Sequence, residues 1–373
     1  MKQIVWRWLD SWSVAAPPTH AGQLHIQDRK IHWLRILPFI GLHLACLSVL
    51  WVGVSGFALW FMLGFYVLRM FAITGFYHRY FSHKTFQTSR LVQFIFGLIG
   101  TMSSQRGPLW WAAHHRHHHR HTDQPEDRHS PRDGFWYSHM GWFLNQQNFA
   151  TDQKLIRDWL KYPELVWLDR FSLPITVLTG ASIWALGSWL AVSSPQLGTS
   201  GAQLFVWGFL VSTVLLTHAT LLINSLAHHL GSRSFQTPDD SRNNWFLALI
   251  TLGEGWHNNH HFYAGSVRQG FYWWQIDVTF YLLKVMSWLG LVWQLKPVPK
   301  RVYLARHNPT PMPSHTSTPL VSGAVQAQDA TSSKTTLLSE TTMPSKTTTP
   351  STNASSSNII SAGFIERLTE KKS

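Results

Sequence analysis

Hydrophobic runs dominate the first three hundred residues, and their lengths set the architecture. From about 33 to 77 the chain is almost wholly apolar, interrupted by Arg35 near one end and Arg69 near the other. A membrane-crossing helix takes roughly 20 residues, so this block holds two, with a turn at 52–56. Further apolar blocks cover 171–192 and 204–227, joined by the uncharged stretch SSPQLGTSGAQ. Four spans are therefore predicted, over about 34–54, 56–77, 171–192 and 204–227. The apolar pieces at 91–102 and 245–252 are too short to cross. The piece at 271–293 carries Gln275, Asp277 and Lys284 and reads as an interfacial or docked amphipathic helix.

The ends read differently. Residues 1–32 are mixed and polar, without the charge, apolar run and small-residue site of a signal peptide. They are expected to form a cytosolic N-terminal segment. Beyond about 306 the chain is rich in Ser, Thr and Pro and is expected to be a disordered tail through 373. The stretch 33–305 is then one membrane domain.

Charge orients the spans. Lys and Arg number 31 against 18 Asp and Glu, a surplus of +13, yet charged residues are only 13% of the chain; soluble domains carry about 25%. The basic residues sit beside apolar blocks: Arg29, Lys30 and Arg35 before the first, then Arg79, Lys84, Arg90, Arg106, Arg116 and Arg120 after the second, and Lys284, Lys296, Lys300 and Arg301 after the fourth. Such placement marks cytoplasmic membrane flanks, not a nucleic-acid surface. Both termini and the long middle loop are thus assigned to the cytoplasm. A single cysteine, Cys46, excludes a disulfide framework and any Cys-built zinc or iron–sulfur site.

The composition leaves 22 histidines to explain. They cluster as His78-Arg-Tyr-Phe-Ser-His83, His114-His-Arg-His-His-His-Arg-His121 and His257-Asn-Asn-His-His261, with a looser Asn224-Ser-Leu-Ala-His228. Helical positions i, i+3 and i+4 share a face. His115, His118 and His119 satisfy this, as do His114, His117 and His118, and also His257, His260 and His261. All four clusters fall on the cytoplasmic side in the predicted topology, so one shared site is permitted. Lone histidines such as His20, His25, His32 and His43 read as hydrogen-bonded or interfacial residues. Imidazole suits Zn, Cu, Fe and Ni, and roughly nine histidines are too many for one ion. A carboxylate-type di-iron bundle needs four Glu. Glu126/His129 and Glu254/His257 have its spacing, but Glu164 is the only further Glu before the tail. A histidine-rich di-iron site fits better.

The order HRYFSH, HRHHH, NSLAH, GEGWHNNHH, with DRHSPRDGFWYSHMGW at 127–142, resembles the integral-membrane fatty acyl desaturases of the stearoyl-CoA (delta-9) type over roughly 35–305. The resemblance implies an all-α integral membrane protein: four transmembrane helices under a cytosolic His-rich helical cap. It implies two iron ions (Fe2+) held by His78, His83, His115, His118, His119, His228, His257, His260 and His261, with Asn224 holding a metal-bound water. The family's His-Arg-x-His-His frame selects His115, His118 and His119, leaving His114 and His117 off the metals. Trp142 is expected beside the acyl chain, with Tyr66 and Met62 closing the far end of its tunnel.

The implied reaction is O2-dependent delta-9 desaturation of a long saturated acyl chain on CoA or lipid. In the animal acyl-CoA enzymes Arg-Asp precedes the second box, where this chain has Ala113-His114, so the carrier stays open. No His-Pro-Gly-Gly cytochrome b5 signature occurs, which calls for a separate electron donor, ferredoxin or cytochrome b5 with a reductase. The expected location is a bacterial inner membrane rather than endoplasmic reticulum, with the active site facing the cytoplasm. Two other readings compete. A membrane hydroxylase or sterol-type oxidase uses similar boxes, though its first pair more often reads His-x-x-x-His. A His-rich metal transporter would need a polar relay, and the spans hold few polar residues to form one, although His218 and Asn224 lie within or near the fourth.

Overall fold

The computed structural model describes residues 10–13 and 33–305. The expected tail, and the expected N-terminal segment apart from 10–13, lie outside the described residues. The described residues are mostly helical, with one short antiparallel pairing of Gln87–Thr88 with Val292–Trp293.

Helix α1, Trp33–Ala45, continues through a tighter turn at Cys46–Ser48 into Val49–Val52. Gly53 ends it at φ +66°, a left-handed conformation that glycine adopts without steric cost. The reversal therefore falls in the predicted 52–56 turn. Ser55 then caps α2, Gly56–Phe71, its hydroxyl accepting from the Ala58 amide at 3.1 Å. Gln203 fastens the turn from outside, donating to the Val52 carbonyl at 3.1 Å and accepting from the Ser55 hydroxyl at 2.7 Å.

Helix α2 changes winding: Ala72–Ser82 runs on with i→i+5 hydrogen bonds. Next come α3 (Arg90–Thr101), α4 (Pro108–His121), α5 (Pro163–Arg170) and α6 (Ser172–Ser193). Helix α7 starts at Gly201–Leu204, passes an i→i+5 stretch at Phe205–Val211 and ends as Ser212–Asn224. Short helices α8 (Trp245–Ile250), α9 (His257–Phe262) and α10 (Val278–Trp288) follow.

Among the described residues three helical runs are long and apolar enough to cross a membrane: Gly56–Ser82, Ser172–Ser193 and Gly201–His228. They mark a multi-pass membrane protein. The predicted 34–54 span corresponds to a shorter apolar helix, Ile36–Val52; at about 1.5 Å per residue it covers roughly 25 Å of a hydrocarbon core of about 30 Å. Close approach of α6 to α7 depends on small residues, as helix packing in lipid generally does. A Cβ on Gly187 would lie 2.6 Å from the Ser200 carbonyl.

The piece at 271–293 departs from its prediction. Only Val278–Trp288 is helical, because Asp277 is no polar-face residue. It is fully buried, 2.9 Å from Arg79, accepts from the amides of Gln269 and Gly270, and caps α10 through the Phe280 amide. Those bonds hold the preceding residues in a turn. Around the rewound end of α2 lies the larger core, in which Phe76, Tyr77 and Phe81 are fully buried. Burial of one such side chain stabilises by about 2–3 kcal/mol. That core fixes the platform of the histidines.

Candidate metal centre

His78 and His83 stand five apart. On an α-helix they would point to different sides, but i→i+5 winding stacks such residues. The His83 amide bonds the His78 carbonyl at 3.3 Å, and the two ring centroids lie 5.0 Å apart. Helix α4 packs across them and turns its i, i+4 pair His115 and His119 toward them, while His118 points the other way. Helix α9 divides likewise. His260 joins the first set; His257 and His261 join His118 and His228, the latter from the turn after α7.

Two groups result. In one, nitrogens of His78, His83, His115, His119 and His260 all lie within 4.8 Å of one another; in the other, those of His118, His228, His257 and His261 do. The contacts are close: His83 Nε2 to His115 Nε2 is 2.8 Å, His260 Nε2 to His119 Nε2 2.9 Å, and His228 Nε2 to His257 Nε2 3.1 Å.

Carboxylates stand behind the rings. Asp127 faces His118 Nδ1 at 2.9 Å, Asp239 faces His261 Nδ1 at 3.1 Å and Asp123 faces His228 Nδ1 at 3.3 Å. Glu254 pairs with His78 Nδ1 and with Arg79 at 3.0 Å. A carboxylate takes the proton on one ring nitrogen and turns the lone pair of the other inward. In His261 that inward atom, Nε2, is buried without a hydrogen-bond partner. With five and four ring nitrogens gathered within 4.8 Å of one another and His261 Nε2 otherwise unpartnered, the donor set fits metal. Burial, reinforced by neighbouring imidazoles, holds His83, His115, His119, His257 and His260 well below the ordinary histidine value. They are neutral, the form that ligates metal. Burial alone would lower His118 too, but Asp127 outweighs it and raises that ring.

In the middle tract His115, His118 and His119 join the two groups. His114 and His117 enter neither group. His114 lies against Trp110 at 4.4 Å, and His117 faces His121 at 4.8 Å. Burial lowers His117 to about 3.

A cavity of about 370 Å³ runs from the first group into the membrane domain; His115, His129, Trp142 and Asn224 line it, with Phe39 and Phe209 among its apolar walls. Trp142 is in this lining, stacked on Trp110 at 5.7 Å. Tyr66 and Met62, expected at the far end of the tunnel, are not in this lining. Helix α2 turns Tyr66 away, its hydroxyl donating to the Ile250 carbonyl at 2.7 Å. Residues of α1, α6 and α7 wall the cavity instead.

Sequence reasoning missed the supporting carboxylates. Glu254 was paired by spacing with His257, yet it serves His78; Glu126 is exposed. The available signal was scarcity. In a chain with 18 acidic residues, Asp123, Asp127, Asp239 and Glu254 each fall near a histidine box.

Comparison with known proteins agrees with the geometry. Residues 53–287 match the model of the family described as Fatty acid desaturase. An acyl-CoA 5-desaturase of Anemone leveillei is 36% identical over 290 residues, covering 74% of this chain and 86% of the relative. An sn-1 stearoyl-lipid 9-desaturase of Anabaena variabilis is 33% identical over 279 residues, 73% of this chain and 96% of the relative. A delta-9 acyl-lipid desaturase of Arabidopsis thaliana is 37% identical over 239 residues, 64% and 75% respectively.

Proposed function

The chain belongs to the fatty acid desaturase family, and on that premise we propose that it introduces a cis double bond at delta-9 into a long-chain saturated acyl substrate. One observation carries the reading: the apolar cavity ends on His115, a member of the five-histidine group. An acyl chain lying there brings its methylenes to the metal centre.

In this reading the nine histidines would hold two iron ions, and Asn224, which lines the cavity, would hold a metal-bound water. Two ferrous ions, when bound, supply the reduction of O2 and the removal of hydrogen from adjacent methylenes, chemistry that no side chain performs on an unactivated chain. The protein supplies position: apolar walls and Trp142 fix the chain, and a displacement of about 1 Å would cost on the order of 100-fold in rate. A separate ferredoxin, or cytochrome b5 with its reductase, supplies two electrons per turnover. Four spans, with Ile36–Val52 as the shortest, carry the histidines as a cap on the cytoplasmic face, in line with the basic flanks. A bacterial inner membrane suits this arrangement. The stearoyl-lipid and delta-9 relatives support the ninth carbon, and CoA and lipid carriers both occur among relatives.

Membranes containing the protein, given isotope-labelled stearoyl and palmitoyl groups on CoA and on lipid, should yield 9,10-monoenes on mass-spectrometric localisation. A hydroxylated product would point to the related oxidases instead.

A further inference from the structure

Three histidines outside the nine form a chain of their own. His43 on α1 meets His218 on α7, Nε2 to Nε2 at 2.8 Å, and His218 Nδ1 meets His139 Nε2 at 3.0 Å. His139 lies in the turn Tyr137–Gly141. At the far ends, His43 Nδ1 lies 2.7 Å from the Phe39 carbonyl, and His139 Nδ1 lies 3.0 Å from the Ser225 hydroxyl. Polar side chains within apolar spans persist where they satisfy one another, and these link three separate elements.

The ring protons follow from the ends. A carbonyl only accepts, so His43 Nδ1 carries hydrogen and its Nε2 a lone pair. His218 Nε2 then donates to His43 and its Nδ1 accepts from His139 Nε2; the Ser225 hydroxyl beside His139 Nδ1 also reaches the Leu221 carbonyl at 3.1 Å. A proton wire would need an onward acceptor beyond His43, and the chain stops at a carbonyl. Its geometry suits holding, not conduction.

What it holds is the cavity. Phe39 and Leu42 beside His43, Thr217 and Leu221 beside His218, and Trp142 and Phe143 just after His139 all line the same cavity. Helix α1 is the wall most in need of a tie. Leu37, Ile40, Leu44 and Leu47 on it are exposed, and Pro38 interrupts its hydrogen-bond ladder.

We propose that His43, His218 and His139 form a clip that sets the spacing of the three cavity walls, and that His218 is the positioning residue governing which acyl lengths are accepted. This rests on the reading that the cavity holds an acyl chain. The test uses full-length protein, His218→Leu, His218→Gln and His43→Leu, with saturated acyl substrates from twelve to twenty carbons. Glutamine can donate to His43 and accept from His139, as the imidazole does; leucine can do neither. Two methylenes in a close-fitting apolar pocket discriminate by about tenfold or more. His218→Leu and His43→Leu should flatten that to about twofold with iron content unchanged, and His218→Gln should keep the wild-type profile. A merely structural histidine would lower yield or stability in the leucine variants without moving the profile, which would overturn the proposal. Amide hydrogen exchange in residues 36–52 gives a readout that needs no turnover: faster exchange in His218→Leu supports the clip, and unchanged exchange contradicts it. Should the wild type desaturate nothing in the series, the cavity reading fails, and the exchange result alone judges the clip.

Discussion

The two histidine groups are close neighbours built on different principles. In the four-histidine group, His118, His228 and His261 each have an aspartate behind them, and all three carboxylates are held below the ordinary range by those imidazoles despite burial. In the five-histidine group only His78 has a carboxylate, Glu254, which it shares with Arg79. The remaining four rings are aimed by helix geometry. The i→i+5 turn places His78 with His83, and Arg116 on α4 donates to the Phe81 and Ser82 carbonyls at 2.5 and 3.0 Å. One group is oriented by charge, the other by backbone. The charge-poor group is also the one that touches the cavity, where an apolar chain has to lie.

Removing ligands tests the division most severely. His115→Ala and His119→Ala should empty the five-histidine group, and His257→Ala the other, each abolishing desaturation, with iron quantified on purified protein. His114→Ala and His117→Ala should keep both irons and measurable turnover. If the latter pair lose iron and the former keep it, the triplet is shifted by one residue. Next in size is the loss of orienting carboxylates. Asp127→Asn and Asp239→Asn should weaken metal binding by about 10–100-fold, read by chelator competition, in one phase that leaves the other ion bound. Equal loss of both ions would erase the distinction between the groups.

A smaller effect probes the backbone-oriented side. Arg116 also bonds Asp158 at 2.8 and 3.0 Å, with Lys84 at 2.6 Å. Desolvation alone would raise the Asp158 carboxyl, but these cations lower it from 3.8. A carboxyl lowered on folding adds stability that is full above its unfolded pKa, about 3.9, and is lost as pH falls through the folded value. Thermal unfolding below about pH 4 should therefore decline more steeply with acid in the wild type than in Asp158→Asn. Parallel curves would show that this pair does not brace α4.

Much of this was legible in the sequence because it is local. Apolar run length located the three helices long enough to cross a membrane, and the His-x-x-His-His spacing marked the histidine-bearing faces of α4 and α9. The rest depended on contacts far apart in the chain. Glu254 serves His78 rather than His257, its neighbour three residues on, because Arg79 and Gln269 bring the two elements together. The rewinding of α2 left no trace in hydropathy, since an apolar stretch reads alike at either pitch; only the five-residue spacing of His78 and His83 hinted at it. Tyr66, which is not in the cavity lining, is a related case. Depth along a helix is readable from residue number, but the face it shows depends on which neighbours pack against it.

The central claim is that the nine histidines make two separate iron sites. Metal analysis of protein purified with ferrous iron tests it most directly, comparing the wild type with His257→Ala. Two irons per chain falling to one in the variant is the predicted result. A wild type that saturates at one iron, or a variant that still holds two, would contradict it.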